Sequence, residues 1–148
     1  MKKMIIPDTE LKLSPIGLGC VNAGLKWEGK EADYLFDAFL DMGGNLYDTA
    51  RVYSDWIPPE IGRSERVLGD WLTRSKKRNQ IVIITKGGHP DMTGDNPDTH
   101  KSRVSRAEMR KDIELSLKIW NFLFVHLAQI ILIFIFITEM MNLYRWKN

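Results

Sequence analysis

Apolar positions change period several times along this chain, and each change predicts an element. From Lys30 to Met42, Ala32, Leu35, Phe36, Phe39 and Leu40 fall on an i, i+3, i+4, i+7, i+8 stripe, the mark of an amphipathic helix. Gly43-Gly44 supplies its stop. A second helical face, Val67, Leu68, Trp71 and Leu72, follows Ser64, read as an N-cap with Glu65 in the first turn. A third, Met109, Ile113, Leu117 and Trp120, lies behind the capping box Ser105-Arg106-Ala107-Glu108. The runs before these helices are short and continuous: Ile16 to Cys20, Asn45 to Tyr47 ending at Asp48, and Gln80 to Thr85. The last holds four successive β-branched residues, Ile81 to Ile84, as in a strand buried on both faces. Strand and helix alternating three times predict an α/β fold with a parallel sheet. Before it, the loose alternation of Met4, Ile6, Leu11 and Leu13 predicts a small hairpin, and Gly87 to Arg103 reads as a long surface loop.

Composition narrows the classes. The 148 residues are 44% hydrophobic and 27% charged, ordinary for a globular domain. The net charge of +2 and the lack of a basic stripe interleaved with aromatics argue against nucleic acid. Lys76-Lys77-Arg78 is read as a solvated cluster favoured by a helix C-terminus. Cys20 is the only cysteine, so an internal disulfide or a cysteine zinc cluster is excluded and a reducing, cytoplasmic setting fits. Met1 to Pro7 has two lysines but no long apolar core, and is not read as a signal peptide. Asn22 breaks any G-x-G-x-x-G pattern in the glycine-rich first strand, and the three histidines have no metal-ligand spacing, so no metal is expected.

The chemistry gathers at strand ends. Asp48 closes one apolar run, Tyr53 follows five positions later, and Lys86 follows the next strand. Parallel strands followed by helices bring such ends to one face, where ligands bind. A phenol is a poor acid at neutral pH, an adjacent ammonium favours its ionised form, and a carboxylate keeps the ammonium charged and in place. Such a trio can protonate a carbonyl oxygen while hydride reaches the carbon, the hydride coming from a nicotinamide cofactor. Taken singly, each of these residues also has a structural reading, as a turn aspartate, a surface aromatic and a solvated lysine.

Ile16-Gly17-Leu18-Gly19, Tyr47-Asp48-Thr49-Ala50 with Tyr53, Ser64-Glu65 before Leu68-Gly69, and Thr85-Lys86-Gly87-Gly88 occur in an order and spacing that resemble the aldo-keto reductase family. The resemblance covers roughly residues 1–118. It implies a (β/α)8 barrel that uses NADP(H), less often NAD(H), to reduce small aldehydes and ketones. Such a barrel needs roughly 250 residues, so about its first three βα units are expected here. By the same resemblance Asp48, Tyr53 and Lys86 are three members of a catalytic Asp-Tyr-Lys-His tetrad, Tyr53 being the general acid. Gly19, Cys20 and Asp48 would border the nicotinamide. His89, His100 and His126 do not match the fourth member.

The segment 119–148 stands apart as an apolar, helix-like tail. Phe122 to Ile137 is almost continuously apolar, short for a membrane span of about 20 residues yet long for a buried strand. One reading makes it the anchor of a small membrane-tethered or partner-binding protein. Another makes it a frameshift product. Codons permitted for Leu127 to Met141, read two bases later, can encode a glycine-threonine-aspartate-tyrosine-isoleucine-aspartate run ending in tyrosine-histidine-arginine and acidic residues. That closely resembles the family's fourth-strand motif, with the absent histidine straddling Ile137 and Thr138. On this reading the chain is a truncated, inactive fragment of a carbonyl reductase.

Overall fold

The computed structural model describes residues 1–93, 96–101 and 103–120, with the backbone of 130–132. Strands β1 (Met4–Ile5) and β2 (Lys12–Leu13) form the expected antiparallel hairpin, Met4 opposite Leu13. Then come β3 (Gly17–Gly19), α1 (Gly29–Asp41), β4 (Leu46–Asp48), α2 (Arg63–Ser75), β5 (Val82–Thr85), α3 (Arg106–Ile119) and β6 (Ile130–Leu132). The main sheet has the order β3-β4-β5-β6. Its pairs are all parallel, in a register that aligns Gly19 with Asp48, Asp48 with Ile84 and Ile84 with Ile131. Each strand lies beside its successor and the helices pack in the same sequence, α1 on α2 and α2 on α3. This is an arc of a (β/α) barrel.

Alternation along the strands sorts their side chains between two faces. Tyr47 and Ile83 turn toward the helices and join Phe36, Phe39, Val67, Leu68, Trp71, Leu72 and Trp120 in one buried cluster. Its centre is aromatic: Tyr47 meets Phe36 and Phe39 edge-on at centroid distances of 5.9 and 5.4 Å, and Trp71 lies 5.4 Å from Tyr47. Two of its polar tips are satisfied, Tyr47 Oη donating to the Phe36 carbonyl and Trp71 Nε1 to Asp37, whereas the buried Trp120 Nε1 has no partner among the described residues.

The glycine stop of α1 forms as expected. Gly43, at φ 86°, donates to Leu40 O and Gly44 donates to Phe39 O, a Schellman pair. The start of α2 differs from expectation. Its N-cap is Gly62, at φ 72°, and Ser64 lies inside the first turn with its hydroxyl turned to the strands. A Cβ on Gly62 would stand 2.4 Å from the Ile119 side chain, so close packing there requires glycine. Nor is Lys76-Lys77-Arg78 uniformly solvated. Lys77 pairs with Asp37 at 2.8 Å, whereas Arg78 is buried and donates to Ile81 O. Gln80 closes a short 3-10 turn, Arg78–Gln80, rather than opening β5.

In α3, Ser105 caps as expected, its hydroxyl accepting from Glu108 N and donating to the Glu108 carboxylate. The buried stripe, however, is Asp112, Ser116 and Trp120, with Met109, Ile113 and Leu117 only half-buried. The reason is that α3 covers polar strand ends and loop amides, which need acceptors and donors more than methyl groups. Within the apolar tail, Ile130–Leu132 is a strand, β6, beside β5. Ile119 ends α3 and Trp120 joins the buried cluster, while 121–129 and 133–148, with His126 and the Ile137–Thr138 junction, lie outside the described residues. Among the described residues no helix is long and apolar enough to cross a membrane.

Candidate active site

The sheet delivers three chemically active side chains to one rim. Asp48 is the last residue of β4, and beyond it the chain keeps pairing with the β5 side. Thr49 N donates to Ile84 O at 2.8 Å and Arg51 N to Lys86 O at 2.9 Å. That extended register holds the two loop bases at one height. Lys86, just past β5, extends its Nζ to Asp48 Oδ1 at 2.7 Å and to Thr49 O at 2.5 Å. The same ammonium sits over the face of Tyr53, 4.7 Å from the ring centroid, a cation–π distance. Tyr53 is carried by a tight turn in which its N–H donates to Ala50 O. Buried Ser54, at φ 70°, anchors that turn by donating to the carbonyls of Val21 and Ala23. The Asp48 side chain is 35% exposed and that of Lys86 14%, so the pair is fixed from below and open above. The three residues singled out in the sequence are therefore together.

Gly19 and Cys20 separate. Gly19 is exposed beside Asp48, and a Cβ built on it would meet nothing within 4 Å, so open space adjoins the carboxylate. The Cys20 thiol instead turns into the core, fully buried. Burial, aided by the negative charge of Asp48, pushes it up to about 12. Its carbonyl, not its sulfur, reaches the rim network, as the acceptor of Ser64 Oγ.

Under the rim lies a polar layer that periodicity did not reveal. Ser64 Oγ also meets Thr49 Oγ1 at 2.8 Å, and Ser64 N donates to Tyr53 O. The neighbouring Glu65, fully buried, accepts from Thr85 Oγ1 at 2.7 Å and from Ser116 Oγ at 2.9 Å. Burial raises the Glu65 carboxyl above the ordinary glutamate value, against the opposing pull of those two hydroxyls. Asp55 is likewise raised by burial, although it accepts from Gly62 N and pairs with Arg51 at 3.0 Å. Asp112 receives Gly88 N and Arg103, closing the loop after β5 onto α3. A cavity of about 310 Å³ opens on this flank, lined by Arg51, Asp55, Lys86, His89, Arg103 and Asp112 among others. His89 is half-buried, with Nδ1 3.0 Å from Pro90 O, and His100 is exposed. Among the described residues no group of three or more His, Cys, Asp or Glu could hold a metal ion.

The sequence profile of the aldo/keto reductase family matches residues 15–129. The chain belongs to the aldo/keto reductase family. The match runs past residue 118, to the threshold of β6. An aryl-alcohol dehydrogenase (NADP(+)) from Phanerodontia chrysosporium is 38% identical over 92 residues, 57% of this chain and 22% of that protein. Protein tas from Escherichia coli is 29% identical over 114 residues, covering 76% of this chain and 33% of its own. Among solved structures, a putative aldo-keto reductase from Pseudomonas aeruginosa superposes with a TM-score of 0.64 at 33% identity. That alignment spans 80% of this chain and 42% of the other. The chain thus spans less than half the length of the relatives it matches. The partial barrel and its parallel strand order are those of an aldo/keto reductase N-terminal part.

Proposed function

We propose that this chain carries the proton-delivering half of an NADP(H)-dependent carbonyl reductase and is by itself inactive. The observation that carries the reading is the Lys86 ammonium, held 2.7 Å from Asp48 and 4.7 Å over the Tyr53 ring at the ends of adjacent parallel strands. Tyr53 would give its proton to the substrate oxygen. Lys86 would stabilise the charge left on the phenol oxygen, and Asp48 would hold Lys86 in place. Gly19 and Asp48, bordering open space, would flank the nicotinamide, which supplies the hydride when bound. The substrate would be a small carbonyl compound. An aromatic aldehyde is the first to test, because a relative is named an aryl-alcohol dehydrogenase. NADP(H) is preferred over NAD(H) on the same relative, and a cytoplasmic setting on the single, buried thiol.

The inactivity and the tail go together. By the family resemblance none of His89, His100 and His126 would serve as the fourth tetrad member, and the tail in its present frame would supply no other histidine. The frameshift reading rests on the codons that the tail permits, which at Ile130–Leu132, the strand beside β5, can give tyrosine-isoleucine-aspartate. Sequencing the gene from codon 105 past its stop tests this. A shifted frame that runs through a histidine at the Ile137–Thr138 junction into further barrel units supports it, and codons there that cannot encode histidine end it. The enzymatic reading is tested on the frame-restored protein. Oxidation of NADPH by an aromatic aldehyde should fall at least 100-fold in Tyr53→Phe, from the contribution of general acid catalysis. The 148-residue chain should show no turnover. Activity left intact by Tyr53→Phe would refute the role given to the phenol.

A further inference from the structure

The pair Ser64-Glu65 belongs to the motifs that marked the family, yet the proton-transfer reading gives it nothing to do. Its bonds run to every strand that bears the site. Ser64 Oγ donates to the Cys20 carbonyl, just past β3, and meets Thr49 Oγ1, just past β4. Ser64 N donates to the carbonyl of Tyr53 itself. Glu65 Oε1 receives the hydroxyl of Thr85, the last residue of β5 and the neighbour of Lys86, and Oε2 receives Ser116 of α3. Both residues are fully buried. Gly62 lets the chain turn into α2 close enough for this.

We propose that Ser64 and Glu65 are the positioning residues of the site: they clamp the ends of β3, β4 and β5 at the relative depth that seats Lys86 between Asp48 and Tyr53. The proposal rests on the reading of that trio as the proton-delivery site. Its physical logic is reach. Lys86 Nζ meets Asp48 Oδ1 at 2.7 Å and Thr49 O at 2.5 Å. A lysine on a strand end that has slid or frayed loses both bonds at once, because both partners belong to the neighbouring chain segment. The strand pairing cannot prevent this unaided, since β4 and β5 are each three or four residues long. A buried carboxylate suits the clamp because its two oxygens accept from two elements simultaneously. Apolar side chains packed at the same place would resist separation but would not fix register.

The test uses the intact 148-residue chain and needs no turnover. A lysine ammonium held by two acceptors exchanges its protons slowly, and in a nitrogen-15-labelled chain Lys86 should give a protected Nζ signal, assigned by its loss in Lys86→Arg. Glu65→Ala and Ser64→Ala should abolish that signal, and Glu65→Gln, which can still bond Thr85 and Ser116, should keep it. Thr85→Val, nearly isosteric, removes the one bond to the β5 end and should weaken the signal even if Glu65→Ala fails to fold. Trp71→Phe, a lesion in the apolar cluster, should leave it unchanged. Survival of the signal in Thr85→Val and Ser64→Ala, or its equal loss in Trp71→Phe, overturns the clamp. If instead Asp48→Asn leaves the Lys86 signal untouched, the trio reading fails and not the clamp alone.

Discussion

The helix-covered layer of the sheet and the rim at its strand ends are built from different materials. Trp71, Tyr47, Phe36 and Ile83 fill the layer, held by area and shape with one buried and one half-buried hydrogen bond at its edge. Glu65, Ser64, Thr49, Asp55, Asp112 and Ser116 fill the polar layer under the rim, where each makes at least one directed bond. Apolar packing is non-directional, so the layer tolerates exchange of similar volumes. Hydrogen bonds fail as soon as one partner is lost, leaving the other desolvated. Stability therefore resides chiefly in the layer, and the placement of Asp48, Tyr53 and Lys86 resides in the rim.

The sharpest way to separate the two regions is to damage each in turn. Trp71→Ala empties the centre of the layer and removes the donor to Asp37. It should cost roughly 3–5 kcal/mol, the usual range for a buried aromatic, read as a lower midpoint in urea. A loss under about 1 kcal/mol would mean that the cluster does not hold the fold.

The rim responds to pH. A raised Glu65 carboxyl means that the unfolded chain ionises first as pH climbs past the ordinary glutamate value of about 4.3. The contribution of Glu65 to stability is thus fully present below that pH and declines as pH rises toward its folded value. Glu65→Gln has no such titration, so its stability relative to the parent should improve between about pH 4 and pH 7. Urea midpoints of the two proteins across that range check the sign, and a parent that gains on the variant contradicts it. Cys20 offers a gentler probe of the join between layer and rim. With its thiol buried and pushed up to about 12, a disulfide reagent at pH 8 should label it far more slowly than a free thiol. Labelling at the free-thiol rate without denaturant would show that the join opens readily. The smallest effect lies outside both regions. Arg110 and Glu114 pair at 3.3 Å on the exposed side of α3, and Glu114→Ala should cost about 0.3 kcal/mol or less. A much larger loss would give α3 a partner on its exposed face.

What could be read before folding follows the same division. The stripes of α1 and α2, the β-branched run of β5 and the glycine stop of α1 are local patterns, and each forms its element. That Asp48, Tyr53 and Lys86 lie together was legible because strand ends of parallel units must share a face. Ser64 looked like a helix cap because its type and position satisfy that local rule. It bonds instead to Cys20 and Thr49, residues far away in the chain. Apolar period points to Met109 and Ile113 rather than to Asp112 and Ser116, since it says nothing about where a strand end needs a hydrogen bond.

By itself, then, the order of residues determined the alternation of strand and helix, the apolar layer and the gathering of Asp48, Tyr53 and Lys86 at one rim. These depend on spacing along the backbone, which repeats every two or 3.6 residues. Only the tertiary structure decided that the Cys20 thiol turns inward, that Glu65 reaches both Thr85 and Ser116, and that Lys86 rests between Asp48 and Tyr53. The partners in these contacts come from different βα units. Their distances are set by how the helices stack on the sheet, a quantity that no local pattern contains.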